Sequence, residues 1–306
     1  MNRIAKRTAR KYGFIISVWI YPVILFCIFY IGINFNSLLL AFQKIDAGGK
    51  ASFAGFSNFK RLFEELTGDS NILRIAFKNS LIMYCVGILI GMPLTLTFSY
   101  YIFKKWFLNR TIRIIVMIPA IVSGFIMCLL FRKFVELALP NMMRQLMGND
   151  FPQLLSNPAY SFGTVIFYTF WVGFSMSLIL YPNAMAAVDL SVYESAKLDG
   201  VNSWQEMWHI ILPNIYPTLS TFLILGVAGI FSASGPLFEF YMYSAPPEVY
   251  TVGYYIFRET MTNAGNETLY PYIASMGILL TAISVPMTFG VKFLLDKLDP
   301  VSEGKA

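Results

Sequence analysis

One histidine, His209, and three cysteines, Cys27, Cys85 and Cys128, are all the imidazole and thiol in this chain of 306 residues. The cysteines are not spaced as a metal or redox pair, and all three fall in apolar runs, where cysteine reads as a small packing residue. A zinc site or histidine-based catalysis is not expected of a lone imidazole, and His209 reads as a solvated helix residue. Ionisable groups gather instead in one stretch, Y193-E-S-A-K-L-D-G-V-N-S-W-Q-E-M-W-H-I-I-L-P213, which interrupts an otherwise greasy sequence. Glu194, Lys197, Asp199 and Glu206 lie there with His209. The chemistry such a segment offers is surface recognition, not bond-making.

Locally the stretch predicts two capped helices. Ser191 followed by Glu194 fits a capping box, with Ser191 at the N-cap and Glu194 at N3. The helix continues through Ala196 and Lys197 and stops at Gly200, which suits a left-handed C-terminal turn. Ser203 followed by Glu206 repeats the device for a second helix that ends near Pro213. Tyr193, Leu198, Val201, Trp204 and Trp208 give the element an apolar side, which calls for lipid headgroups or a protein partner.

The elements on either side must be membrane spans. Hydrophobic residues make up 57% of the chain and charged residues only 13%, about half the charge of an average soluble domain, and the mean hydropathy is +0.60. A helix needs about 20 mostly apolar residues to cross a bilayer. Six runs qualify: from Phe14 to Ile33 or on to Phe42, Phe77 to Phe103, Ile112 to Phe131, Phe162 to Ala187, Ile215 to Ser234, and Tyr272 to Leu295. Backbone amides cannot go unpaired in hydrocarbon, and runs of this length without two-residue alternation are helices. The first run exceeds a signal-peptide core and no small-residue cleavage site follows it. The expectation is an all-α integral membrane protein. It has a basic tail (1–13), a six-helix domain (14–295) with a polar loop at 188–213, and a C-terminal tail (296–306).

Lysine and arginine set the orientation. The N-terminal tail holds Arg3, Lys6, Arg7, Arg10 and Lys11 without an acid, and the loop after the second run holds Lys104, Lys105, Arg110 and Arg113, again without one. Both are expected in the cytoplasm, and six spans return the C-terminus there. Lys44, Lys50, Lys60 and Arg61 oppose this but are interleaved with Asp46, Glu64, Glu65 and Asp69. The net charge of +6 then follows from topology and gives no reason to invoke nucleic acid. G87-I-L-I-G91 is a small-xxx-small pair suited to close helix packing. Prolines 22, 93, 119, 182 and 286 lie in or beside the runs, where broken helices can line a pathway. No acid or base lies in mid-span, which disfavours an ion-coupled carrier, an ion channel or an intramembrane enzyme.

The polar loop also resembles a known signature. E194-S-A196, then D199-G200, nine residues, and I210-x-L212-P213 look like the EAA motif of binding-protein-dependent ABC importer permeases. That pattern is Glu-Ala-Ala, a glycine four residues after the last alanine, and Ile-x-Leu-Pro after nine more; Ser195 departs by a small-for-small change. W171-V-G-F174 and the six-span count resemble the sugar permeases related to the maltose and glycerol-phosphate systems. The resemblance implies a coupling helix that docks into a groove on a separate ATPase. Glu194, Ser195, Ala196, Asp199 and Gly200 would carry the docking, and Leu212 and Pro213 would fix the return into span five. It implies no catalysis, metal or cofactor on this chain. ATP and Mg would sit on two partner ATPase subunits, with a second permease subunit, an extracellular solute-binding protein and a bacterial plasma membrane completing the system.

The resemblance also points to a sugar pathway. Counted back from the motif, Thr169, Gly173 and Met176 match substrate-contact positions of the maltose member; Trp171 in the same span and Ser232 in span five are further candidates. The segment from Gly235 to Thr251 lacks the Leu-Thr-x-Gly-Gly-Pro commonly found there, so glycerol-phosphate, peptide or polyamine stay open as cargo.

Overall fold

A computed structural model describes residues 2–68, 72–148 and 150–300, and the side chains from Lys11 onward apart from Ile33. Asp69 and the tail beyond Pro300 lie outside the described residues. In chain order the elements are α1 (Lys11–Ala41), β1 (Gln43–Ile45), β2 (Ala51–Phe53), α2 (Ser57–Thr67), α3 (Ile72–Phe103), α4 (Asn109–Ile121) and α5 (Gly124–Met147). There follow α6 (Pro158–Ala186), α7 (Leu190–Leu198), α8 (Ser203–Asn214), α9 (Tyr216–Gly229), α10 (Leu237–Tyr241), α11 (Val252–Thr262) and α12 (Glu267–Lys297).

Four of these helices, α1, α3, α6 and α12, are long and apolar enough to cross a membrane. The other two spans are bent pairs: α4 and α5 meet at 102°, α8 and α9 at 69°. Taking each pair as one span gives six. The run from Ile112 to Phe131 is therefore not one straight helix. Val122 and Ser123 adopt extended dihedrals, ψ 143° and 129°, which end α4 and start α5 afresh. The run from Ile215 to Ser234 also stops early, because α9 gives way to a turn after Gly229.

Proline leaves a second mark. The helical ladder widens to π turns at Phe26–Gly32, Gly87–Gly91, Phe134–Ala138 and Glu206–Ile211, and the last three end two residues before a proline: Pro93, Pro140 and Pro213. Proline donates no hydrogen bond and its ring crowds the carbonyl four residues back; inserting a residue into the turn relieves both problems.

The chain divides into two compact units. The first comprises the chain up to Glu64 with Asn263–Leu279. Here the side chains of α1 are almost all exposed, as suits a helix clothed in lipid. A short antiparallel hairpin, unforeseen in an all-α expectation, pairs Lys44 with Ser52 and turns through Gly49 at φ +75°. Asn58 Nδ2 donates to the carbonyls of Ala41 and Gln43, both at 2.8 Å, and so pins the start of α2 to the end of α1.

The second unit, Glu65–Thr262 with the chain from Leu280, holds the sites. Gly91 lies where a Cβ would come within 3.1 Å of the Phe170 ring, so α3 packs closely on α6 there. Buried Asn79 donates to the carbonyls of Glu248 (2.8 Å) and Tyr250 (2.9 Å), while Ser80 Oγ accepts from the Val252 amide. These bonds fasten the start of α11 to α3. Gly253 faces the turn after α9 so closely that a Cβ would stand 2.5 Å from the Ser232 carbonyl oxygen.

Candidate functional site

The polar loop folds as two helices, capped two residues earlier in the first and one residue earlier in the second than spacing alone puts the caps. Asp189, not Ser191, is the N-cap of α7: its Oδ1 accepts the Ser191 amide at 2.9 Å. That backbone hydrogen bond holds the Asp189 carboxyl below the usual range. Asn202, not Ser203, caps α8 through a reciprocal box. Gln205 N–H donates to Asn202 Oδ1 at 2.9 Å, and Asn202 N–H donates to Gln205 Oε1 at 3.1 Å. Asp and Asn present a carbonyl-type acceptor at the right reach and compete well with serine for these positions. Glu194 and Glu206 are consequently free of capping duty.

Between the helices Gly200 has φ +74°. Its amide donates to the Lys197 carbonyl and the Val201 amide to that of Ala196, both at 3.2 Å, which is the Schellman closure of α7. The turn points the chain back toward α8 and requires a left-handed residue.

One face of α7 is rooted in the protein and the other is bare. Tyr193 and Ala196, three apart, are buried, and the Tyr193 hydroxyl donates to the Met185 carbonyl at 2.9 Å. Burial, with the Glu206 carboxylate nearby, pushes that hydroxyl up to about 12. Tyr193 joins Leu96, Tyr100, Tyr181, Met185, Met207 and Ile211 in one apolar cluster, so the ends of α3 and α6 and the whole loop share a core. Glu194, Ser195, Asp199 and Gly200 are exposed, whereas Ala196 faces inward. The expected apolar side is split as well. Leu198 is 89% exposed, and Trp204 and Trp208, paired edge to face, also stand outside. Leu212 and Pro213 are half-buried at the end of α8. His209 is exposed, with Nδ1 3.2 Å from the Gln205 carbonyl oxygen.

Glu206 is the residue that spacing misassigned. It starts the wide turn of α8, is buried, and both its oxygens accept from Lys104 Nζ, at 2.7 and 2.8 Å. A carboxylate at a plausible N3 position gives no sequence sign that it turns inward.

A cavity of about 240 Å³ lies between α3 and α6. Thr169, Gly173 and Ser177 bring it one face of α6 at four-residue intervals, and Gly87, Gly91 and Thr95 bring the facing side of α3. Thr169 and Gly173 both line this cavity. Met176 is exposed on another face, since the helical period selects Ser177 instead. Trp171 packs with Phe131 and Tyr168, at ring separations of 6.0 and 6.2 Å, and does not line the cavity. Ser232 sits in the turn beyond α9, exposed and outside the lining. Gly87 does not serve packing as Gly91 does, for a Cβ on it would meet nothing within 4 Å. The hydroxyls of Thr95, Thr169 and Ser177 bond back to carbonyls of their own helices, a habit that lets polar side chains sit in an apolar span.

One further expectation changes. Cys27 and Cys85 are exposed, so only Cys128 is a packing cysteine; its thiol lies 3.0 Å from the Tyr168 hydroxyl. Glu239 in α10 carries a buried oxygen, Oε2, without a hydrogen-bond partner.

Residues 83–302 match the profile of the family described as "Binding-protein-dependent transport system inner membrane component". Among curated proteins the chain is 22% identical over 293 residues to Protein LplB of Bacillus subtilis (strain 168), covering 92% of this chain and 89% of that one. It is 26% identical over 194 residues to the "Multiple sugar-binding transport system permease protein MsmF" of Streptococcus mutans serotype c, covering 61% and 63%. Among solved structures it superposes on a chain of a bacterial ABC transporter involved in the import of the acidic polysaccharide alginate. The TM-score is 0.78 at 21% identity, over 96% of this chain and 99% of that one. The candidate spans, the two-helix loop and the family profile that covers most of the chain converge: this chain belongs to the binding-protein-dependent transport system inner membrane components.

Proposed function

We propose that this chain is a permease subunit of an ATP-driven importer for a sugar or oligosaccharide, lying in a bacterial plasma membrane with both termini in the cytoplasm. The observation that carries the coupling half is the two-faced α7. Tyr193 and Ala196 root it in the transmembrane core, while Glu194, Ser195 and an almost fully exposed Leu198 face outward. An exposed apolar residue beside charged ones, on a helix whose other face is fixed, suits a groove on an ATPase subunit. ATP and Mg would be held by that partner. Closure of two ATPase subunits would push α7, and the shared core would tilt the spans to alternate access. A second, different permease subunit and an extracellular binding protein complete the assembly.

The cargo half is supported by the relatives named for sugar transport and by a cavity that mixes small residues, rings and hydroxyls. Thr169, Gly173 and Ser177 are the pathway residues on α6, facing Thr95 on α3. Sugars present apolar C–H faces and a rim of hydroxyls, which such a lining can meet.

The test is purification of the tagged chain from its own membrane, followed by identification of what accompanies it. An ATPase and a second permease should co-purify, and Leu198→Gln should release the ATPase while the two membrane subunits stay together. If the ATPase remains bound to Leu198→Gln with full hydrolysis, α7 is not the docking helix.

A further inference from the structure

The docking loop is continuous in the chain with α6 and α9, but not with α3, which forms the other wall of the cavity. Among the described residues an apolar cluster and an ion pair join it to α3. Lys104 is the C-cap of α3, where free carbonyls favour a cation, and its ammonium lies 5.7 Å from the centre of the Tyr100 ring. It reaches both oxygens of Glu206, 102 positions along the chain. The Glu206 side chain is 7% exposed and that of Lys104 21%. The pairs Lys60–Glu64 and Arg144–Asp150, by contrast, lie on the surface. A buried ion pair adds little net stability because desolvation offsets the attraction, but it fixes geometry. Apolar packing resists separation and still allows sliding; an ammonium held between two carboxylate oxygens does not slide. The wide turn that begins at Glu206 ends two residues before Pro213, so the stretch that presents this carboxylate adjoins the motif's own Leu-Pro.

We propose that the Lys104–Glu206 pair is a strut that passes displacement of the docking loop to α3, making both residues positioning residues for opening and closing the cavity. The proposal rests on the assignment of α7 as the ATPase-docking helix.

The experiment uses the whole assembly in lipid vesicles, with the native cysteines replaced and spin labels at Ile90 on α3 and Met176 on α6, both exposed. The distance between labels is measured without nucleotide and with ATP plus vanadate. In the otherwise unaltered chain the distance should shift on trapping. Glu206→Gln and Lys104→Met should each lower that shift by at least half while ATPase association and basal hydrolysis stay within about twofold, and Lys104→Arg should retain it. The exchanged pair, Lys104→Glu with Glu206→Lys, should restore most of it. A full shift in Glu206→Gln, or no recovery in the exchanged pair, overturns the strut. ATPase release by Glu206→Gln at unchanged thermal stability would also overturn it, by making Glu206 a docking residue. Gly200→Val separates the two ideas: if it leaves ATPase binding intact, the docking assignment fails, whereas failure of the strut alone leaves Gly200→Val defective.

Discussion

Substitution of Gly200 isolates the backbone requirement of the docking loop. The residue has φ +74°, and a Cβ added there meets nothing within 4 Å. Steric conflict inside this chain is therefore absent, and the whole penalty is conformational. Placing an L-residue in the left-handed region costs roughly 1–2 kcal/mol, and β-branched residues tolerate it least. Asparagine visits the region readily. Against this, any side chain reduces the freedom of the unfolded chain, an offset of about 0.4–1 kcal/mol that acts alike on all three variants. The net penalty, at most about 1.6 kcal/mol, is a factor of up to roughly 15 in a two-state population. Here it would act on the population of loops closed by the Lys197 and Ala196 carbonyls. The expected order of damage is Asn below Ala below Val, which is not the order of side-chain size. The assay is pull-down of the ATPase and ATP hydrolysis by the reconstituted assembly with its binding protein. Valine should lose most of both, and asparagine should stay near the parent. If asparagine proves as harmful as valine, the side chain collides with a partner and the backbone argument is refuted.

Glu194 is exposed and takes no part in the cap of α7, so Glu194→Gln should leave thermal unfolding unchanged within about 0.5 kcal/mol; any loss of ATPase association then reports its charge. Gly173 borders the cavity with open space where its Cβ would be, and Gly173→Leu should cut sugar uptake while the assembly stays intact. Trp171→Ala should instead lower the unfolding temperature, because the ring packs with Phe131 and Tyr168. Asn79→Ala removes the donor shared by the carbonyls of Tyr250 and Glu248, the first of these bonds buried and the second partly buried, and should cost about 1–3 kcal/mol in detergent unfolding. Gly253→Ala should fail to yield a monodisperse protein, since its Cβ would meet backbone atoms of Ser232 and Ala233 at 2.5–2.7 Å, while Gly163→Ala, in open space, should behave as the parent.

The membrane class, the number of spans and the place of the docking loop were all legible in one dimension. They depend on run length, charge gaps and a motif of fixed spacing, none of which needs a neighbour. The left-handed Gly200 was legible for the same reason, since the turn that needs it is local. The caps were less so: Asp189 and Ser191 can both begin α7, since both residue types are good N-caps. Within α6 the periodicity that placed Thr169 and Gly173 on one face also excluded Met176, and a count from a motif does not carry that information.

What the sequence by itself determined is what local chemistry can determine: apolar length makes spans and Gly200 makes a turn. Only the tertiary structure decided where the 102° bend falls between α4 and α5, which glycine packs and which borders the cavity, and that Glu206 turns inward to Lys104. Each of these depends on an energy shared between segments distant in the chain. A buried carboxylate is tolerable only where a cation waits, and that cation is 102 positions away, so its presence cannot be read from the residues beside Glu206.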